Sequence, residues 1–168
     1  MYKKFSYFIA TMFGFGMSPV APGTVGSLAT IPLAFVIAYF YSWVGIVVAL
    51  VIVFIIGTIA VKEVLKYTSH DPSFIVIDET VGQLISFAFV ADSLTGRNDP
   101  HVWLVYAVGF ALFRVFDISK PWPVGCADKQ IENEWGVLRD DVFAGLYAAV
   151  LLYIMVNYLP WYTAIPNL

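Results

Sequence analysis

Three short stretches hold carboxylates where carboxylates are costly. In "VIDETVGQ", Asp78 and Glu79 interrupt the start of an apolar run. In "FRVFDISKPWP", Arg114 and Asp117 are three residues apart on one helical face, and Lys120 follows before two prolines. In "RDDVFAG", Arg139, Asp140 and Asp141 stand at the door of the run "VFAGLYAAVLLYIMV". Each stretch has an ordinary explanation. Acidic residues favour helix N-termini, Arg and Asp three apart form an intrahelical ion pair, and one aspartate can cap a helix. One carboxylate is enough for a cap, so one of Asp140 and Asp141 is left over. Carboxylates that converge repel one another unless a proton or a cation neutralises them. An oxygen-only donor set without His or Cys spacing suits Mg²⁺ rather than zinc. Asp128, in "GCADKQ", is a weaker candidate whose default reading is a surface residue.

The elements that would position these groups are membrane helices. The chain of 168 residues is 60% hydrophobic and 12% charged, with a mean hydropathy of +0.81. A soluble domain carries about a quarter charged residues. The composition predicts a single membrane-embedded domain over residues 1–168, an all-α polytopic bundle of about four to five spans. The spans are Leu28 to Tyr41, Val44 to Val61 after a tight "YSW" turn, a weak one from Ile75 to Ala91, His101 to Ile118, and Val142 to Tyr158. The last helix should begin at its aspartates, one of them the cap. A net charge of −3 without a basic tract excludes a nucleic-acid partner. The lone Cys126 excludes an internal disulfide.

Loop charges orient the bundle. Lys3, Lys4, Lys62, Lys66, Arg114, Lys120, Lys129 and Arg139 fall on one side, and Arg97 alone on the other. The positive-inside rule therefore predicts a cytoplasmic N-terminus. Asp78, Glu79, Asp117, Asp128, Asp140 and Asp141 then share the cytoplasmic side, at similar depth. So does "GFGMSPVAPGTVGS", whose glycines would let backbone approach an anion, with Thr24 or Ser27 capping the first span. His70 and His101 fall on opposite sides, which argues against a histidine-based nucleophile.

In this order, "GFGMSPVAPGTVGS", "DPSFIVIDETVG", "FRVFDISKPWP" with "ADK", and "LRDDVFAG" resemble the phosphatidylglycerophosphatase A family. The resemblance implies a multi-pass enzyme of the cell's inner membrane with a cytoplasmic active site. It implies removal of the terminal phosphate of phosphatidylglycerophosphate to give phosphatidylglycerol, with Mg²⁺. Asp78, Glu79, Asp117, Asp140 and Asp141 are then the candidates for catalysis. Asp78, Glu79, Asp117, Asp128 and Asp141 are candidates for the metal, and Lys120, Arg114, Arg139, Thr24 and Ser27 for the phosphate. The alternative from a different class is a small cation or proton transporter, since intramembrane carboxylates also build ion paths. Such a path wants its carboxylates near the midplane, and these cluster at one interface beside Arg and Lys.

Overall fold

The computed structural model describes residues 2–68, 72–95, 102–120 and 134–159. These form five helices: α1 (Tyr2–Ala10), α2 (Pro22–Leu65), α3 (Ile77–Ala88), α4 (Val102–Ser119) and α5 (Glu134–Tyr158). Short 3₁₀ turns lie at Phe15–Met17 and Ala91–Leu94, and the described residues contain no strand. Among the described residues three helices are long and apolar enough to cross a membrane: α2, α4 and α5. Their outer faces leave Val48, Val51, Ile52, Ile55 and Ile59 of α2 and Val150 and Ile154 of α5 exposed. Apolar belts of this kind are matched by lipid, not by water.

The 44 residues of α2 would span roughly 66 Å if straight, about twice the hydrocarbon thickness of a bilayer. Ser42 breaks the helix, at φ 56° and ψ −150°. The chain reverses there: a Cβ on Gly45 would lie 3.2 Å from the carbonyl oxygen of Ile37, eight residues back. Both arms reach the same level at their other end, where Gly26 packs on Val76 and Gly57 on Ile77. The reversal falls within the expected "YSW" turn. Asp92 ties it to the segment after α3, accepting a 2.6 Å hydrogen bond from Ser42 Oγ.

Helix α3 revises the weak span expected over 75–91. Its 12 residues rise only about 18 Å. Together with the turn Ala91–Leu94 it carries the chain from the level of Gly26 to that of Ser42. Nearly all its side chains are buried, against α2 on one side and α5 on the other. Enclosure in protein explains how this segment holds polar groups at depth: Gln83 Nε2 donates to Ser86 Oγ at 2.8 Å, and Ser86 Oγ donates to the Gln83 carbonyl at 2.7 Å.

Two apolar clusters flank the bundle's two halves. One gathers Ile46, Leu84, Phe87, Tyr106 and Leu152 toward Ser42. The other gathers Ala10, Val61, Ile75, Ile77 and Leu138 at the opposite end. Helix α1 joins that end through the Val76 N–H, which donates to the Ala10 carbonyl at 2.9 Å.

Candidate active site

The acidic stretches meet at the end of the bundle away from Ser42. Asp78 and Glu79 occupy the first turn of α3, where the Glu79 N–H donates to Asp78 Oδ1 at 3.1 Å. Asp140 and Asp141 do not cap α5, contrary to expectation, because the helix begins at Glu134 and they lie in its second turn. Successive helical residues point about 100° apart, so the adjacent aspartates serve different neighbours. Asp141 turns toward α3, and oxygens of Asp78, Glu79 and Asp141 all lie within 4.8 Å of one another. Asp140 turns toward α4 and accepts from Lys120 Nζ at 2.9 Å.

Helix α4 contributes the cations. Arg114 Nη1 pairs with Asp117 Oδ2 at 2.6 Å, the intrahelical pair that the spacing suggested. The same Nη1 lies 3.5 Å from Ser27 Oγ, which donates to the Gly23 carbonyl at 2.9 Å. Lys120 ends the helix in a left-handed conformation, φ 40°, with its N–H on the Phe116 carbonyl at 3.0 Å. Non-glycine residues adopt this conformation at a cost of about 1–2 kcal/mol.

These groups line a cavity of about 360 Å³. Asp78, Glu79, Asp117, Asp140 and Asp141 line it together with Arg114 and Lys120. Ala21, Pro22 and Gly23 bring the N-terminus of α2 to it. A Cβ on Gly23 would collide with Glu79 Oε1, so glycine is required there for the carboxylate to lie against the backbone. Five carboxylates face two cations, a formal excess of three negative charges. Asp117 pairs with Arg114 and Asp140 with Lys120, and Asp78, Glu79 and Asp141 form the cluster within 4.8 Å. Glu79 Oε2 and Asp141 Oδ1 are buried and accept no hydrogen bond among the described residues. Orphaned, buried, oxygen-only acceptors at this spacing suit a hard divalent cation.

Other expected residues lie elsewhere. Arg139 does not line the cavity, and its buried Nε has no partner among the described residues. Neither Thr24 nor Ser27 caps the first span: α2 begins at Pro22 after Ala21, which has φ 45° and makes no side-chain cap. Thr24 does not line the cavity, and Ser27 lies buried behind it, next to Arg114. Asp128, His70 and His101 lie outside the described residues. Sequence reasoning missed the Lys120–Asp140 pair, which joins residues 20 apart and carries no local signal.

Comparison with known proteins places the chain in a family. The family model for phosphatidylglycerophosphatase A matches residues 8–156. Phosphatidylglycerophosphatase A of Escherichia coli (strain K12) is 33% identical over 155 residues, covering 92% of this chain and 85% of the relative. Phosphatidylglycerophosphatase A of Haemophilus influenzae is 36% identical over 151 residues, covering 88% and 86%. A Bacteroides thetaiotaomicron protein that carries phosphatidylinositol-3-phosphatase as a provisional name is 40% identical over 152 residues, covering 86% and 89%. No solved structure matches. The chain belongs to the phosphatidylglycerophosphatase A family of phosphatase enzymes.

Proposed function

We propose that the protein is a Mg²⁺-dependent lipid phosphatase that hydrolyses the terminal phosphomonoester of phosphatidylglycerophosphate to phosphatidylglycerol and inorganic phosphate. The observation that carries this reading is the convergence of Asp78, Glu79 and Asp141 within 4.8 Å, beside Arg114 and Lys120, at one end of an apolar bundle. A lipid phosphomonoester lies at headgroup depth with its acyl chains among apolar helices. The two arms of α2, α3 with its 3₁₀ turn, α4 and α5 supply five crossings on this reading. The N-terminus and cavity face the cytoplasm of a multi-pass inner-membrane protein, as the eight-to-one distribution of basic residues indicates.

Asp78, Glu79 and Asp141 would hold the ion, which supplies charge neutralisation at the phosphoryl oxygens and activation of water. Arg114 and Lys120 bind the phosphoryl oxygens by charge-assisted hydrogen bonds. Asp117 and Asp140 hold those two cations in position. The N-terminus of α2 adds a favourable dipole to the same anion. A cluster carboxylate takes the proton of the attacking water. The water oxygen joins phosphorus as the bond from phosphorus to the glycerol oxygen breaks, and the proton taken from the water passes to the glycerol oxygen, which leaves as the alcohol. A cation or proton path fits less well, because the carboxylates sit at one end of the bundle and two of them are paired with Arg and Lys.

The test is phosphate release by purified protein in detergent from phosphatidylglycerophosphate, with and without Mg²⁺. Phosphatidylinositol 3-phosphate belongs in the panel because of the name carried by the Bacteroides relative. Asp78→Asn, Glu79→Gln and Asp141→Asn should each abolish Mg²⁺-dependent turnover with the fold retained. Full activity of all three at limiting Mg²⁺ would refute the metal site. Preference for the inositol lipid would refute the substrate.

A further inference from the structure

Helices α3 and α5 carry one five-residue pattern, an aspartate followed four residues later by a glycine. It reads "DETVG" from Asp78 to Gly82 and "DVFAG" from Asp141 to Gly145. The two glycines meet at the helix crossing. A Cβ on Gly82 would stand 2.6 Å from the carbonyl oxygen of Asp141 and 2.7 Å from Cζ of Phe113. A Cβ on Gly145 would stand 2.5 Å from the carbonyl oxygen of Gly82 and 3.0 Å from its Cα. Much of this contact is with backbone, so no change of rotamer relieves it.

Both helices run away from the cavity, so each aspartate lies one turn nearer the cavity than its glycine. The crossing is therefore the nearest fixed point to the three clustered carboxylates. Asp141 is 5% exposed, and its Oδ1 has no hydrogen-bond donor among the described residues. We infer that the Gly82–Gly145 contact is a spacing device that sets the separation of Asp78 and Glu79 from Asp141, and with it the affinity for the divalent ion. This rests on the metal reading proposed above. A methyl group at either glycine must part the helices by roughly 1 Å to reach ordinary contact, and functional constellations tolerate only about 0.5 Å. Mg²⁺ is strict, since it demands near-octahedral oxygens at about 2.0–2.1 Å.

Gly109 provides the comparison. A Cβ there would stand 2.5 Å from the Phe87 ring and 2.9 Å from Leu152 Cδ2, in the cluster of the opposite half. It is crowded but remote from the carboxylates. The experiment measures Mn²⁺ binding to the purified full chain in detergent by electron paramagnetic resonance, without lipid substrate, alongside thermal unfolding. Wild type should bind and Asp141→Asn should not; absence of binding by wild type would refute the metal reading itself. Gly82→Ala and Gly145→Ala should each raise the Kd for Mn²⁺ at least tenfold. Gly109→Ala should stay within twofold of wild type even where its unfolding temperature falls as far. Where Gly82→Ala does not accumulate folded, Gly82→Ala with Phe113→Leu removes the ring clash and keeps the backbone one; it too should bind weakly. Wild-type affinity in any folded alanine variant at Gly82 or Gly145 would overturn the spacing role, whatever its stability.

Discussion

Replacing Lys120 by glycine separates phosphate binding from structural anchoring. Lys120 has φ 40°, a conformation that costs a non-glycine residue about 1–2 kcal/mol. Glycine recovers most of that. Its loss of the Asp140 ion pair costs more than the loss of an exposed pair, because the Asp140 side chain is only 10% exposed and keeps a buried charge. The backbone gain offsets part of that cost, so Lys120→Gly should unfold below wild type. Alanine keeps the backbone cost and loses the pair, so Lys120→Ala should be the less stable variant. Catalysis should respond differently. A charge-assisted bond to a phosphoryl oxygen contributes about 1.5–3 kcal/mol. Both variants should therefore lose about tenfold to a hundredfold in kcat/KM toward phosphatidylglycerophosphate. Asp140→Asn should also lower kcat/KM, because it releases the lysine from its 2.9 Å contact. Lys66→Ala is the control, since Lys66 pairs with Glu63 on the surface away from the cavity. The assay is initial-rate phosphate release at saturating Mg²⁺. Unchanged kcat/KM in a folded Lys120→Gly variant would show that Lys120 only anchors the end of α4.

Three further outcomes are expected. Cys126 is the one cysteine of the chain, so an impermeant thiol reagent should label it only from the cytoplasmic face; labelling from outside intact cells would reverse the topology. At Ser42, φ 56° and ψ −150° belong to a region that essentially only glycine tolerates. Thermal unfolding should rank Ser42→Ala below wild type by about 1 kcal/mol for the lost Asp92 hydrogen bond, and Ser42→Gly at or above wild type; the opposite order would refute the strained reversal. The KM for the lipid should fall as Mg²⁺ rises, and a KM independent of Mg²⁺ would refute the charge argument made below.

Much of the site is legible in the sequence because carboxylates in apolar surroundings need a reason. Asp78, Glu79 and Asp141 stood out on that ground, and Arg114 with Asp117 through spacing along one helix. What escaped was set by tertiary structure or by reading hydropathy as helix length. The polar run "ENEWGVLR" does not look like a membrane segment, yet α5 starts at Glu134, so the aspartates expected at its cap lie nearly two turns inside it. The apolar run over 75–91 looks like a long helix, but only 12 residues of it are α-helical. Arg139 is next to Asp140 in sequence, and helical rotation takes it off the cavity wall. The duplicated aspartate–glycine pattern was visible but has no meaning until the two helices are known to cross at their glycines.

The charge balance of the cavity constrains the order of events. A phosphomonoester is close to dianionic at neutral pH, with a second pKa of about 6. It would enter a cavity that carries five carboxylates and two cations. Each unit of like charge at about 6 Å costs about 3 kcal/mol at an effective dielectric constant near 20. With all five ionised, an excess of three outweighs the two charge-assisted contacts from Arg114 and Lys120. One divalent ion held by Asp78, Glu79 and Asp141 lowers the excess to one and puts positive charge nearest the phosphoryl oxygens. On the proposed reading, metal therefore binds before lipid. The acidic cluster that would repel the substrate by itself becomes the means of attracting it. This also gives the two ion pairs a purpose beyond stability: Asp117 and Asp140 hold Arg114 and Lys120 at the cavity, where both cations can meet the phosphoryl oxygens.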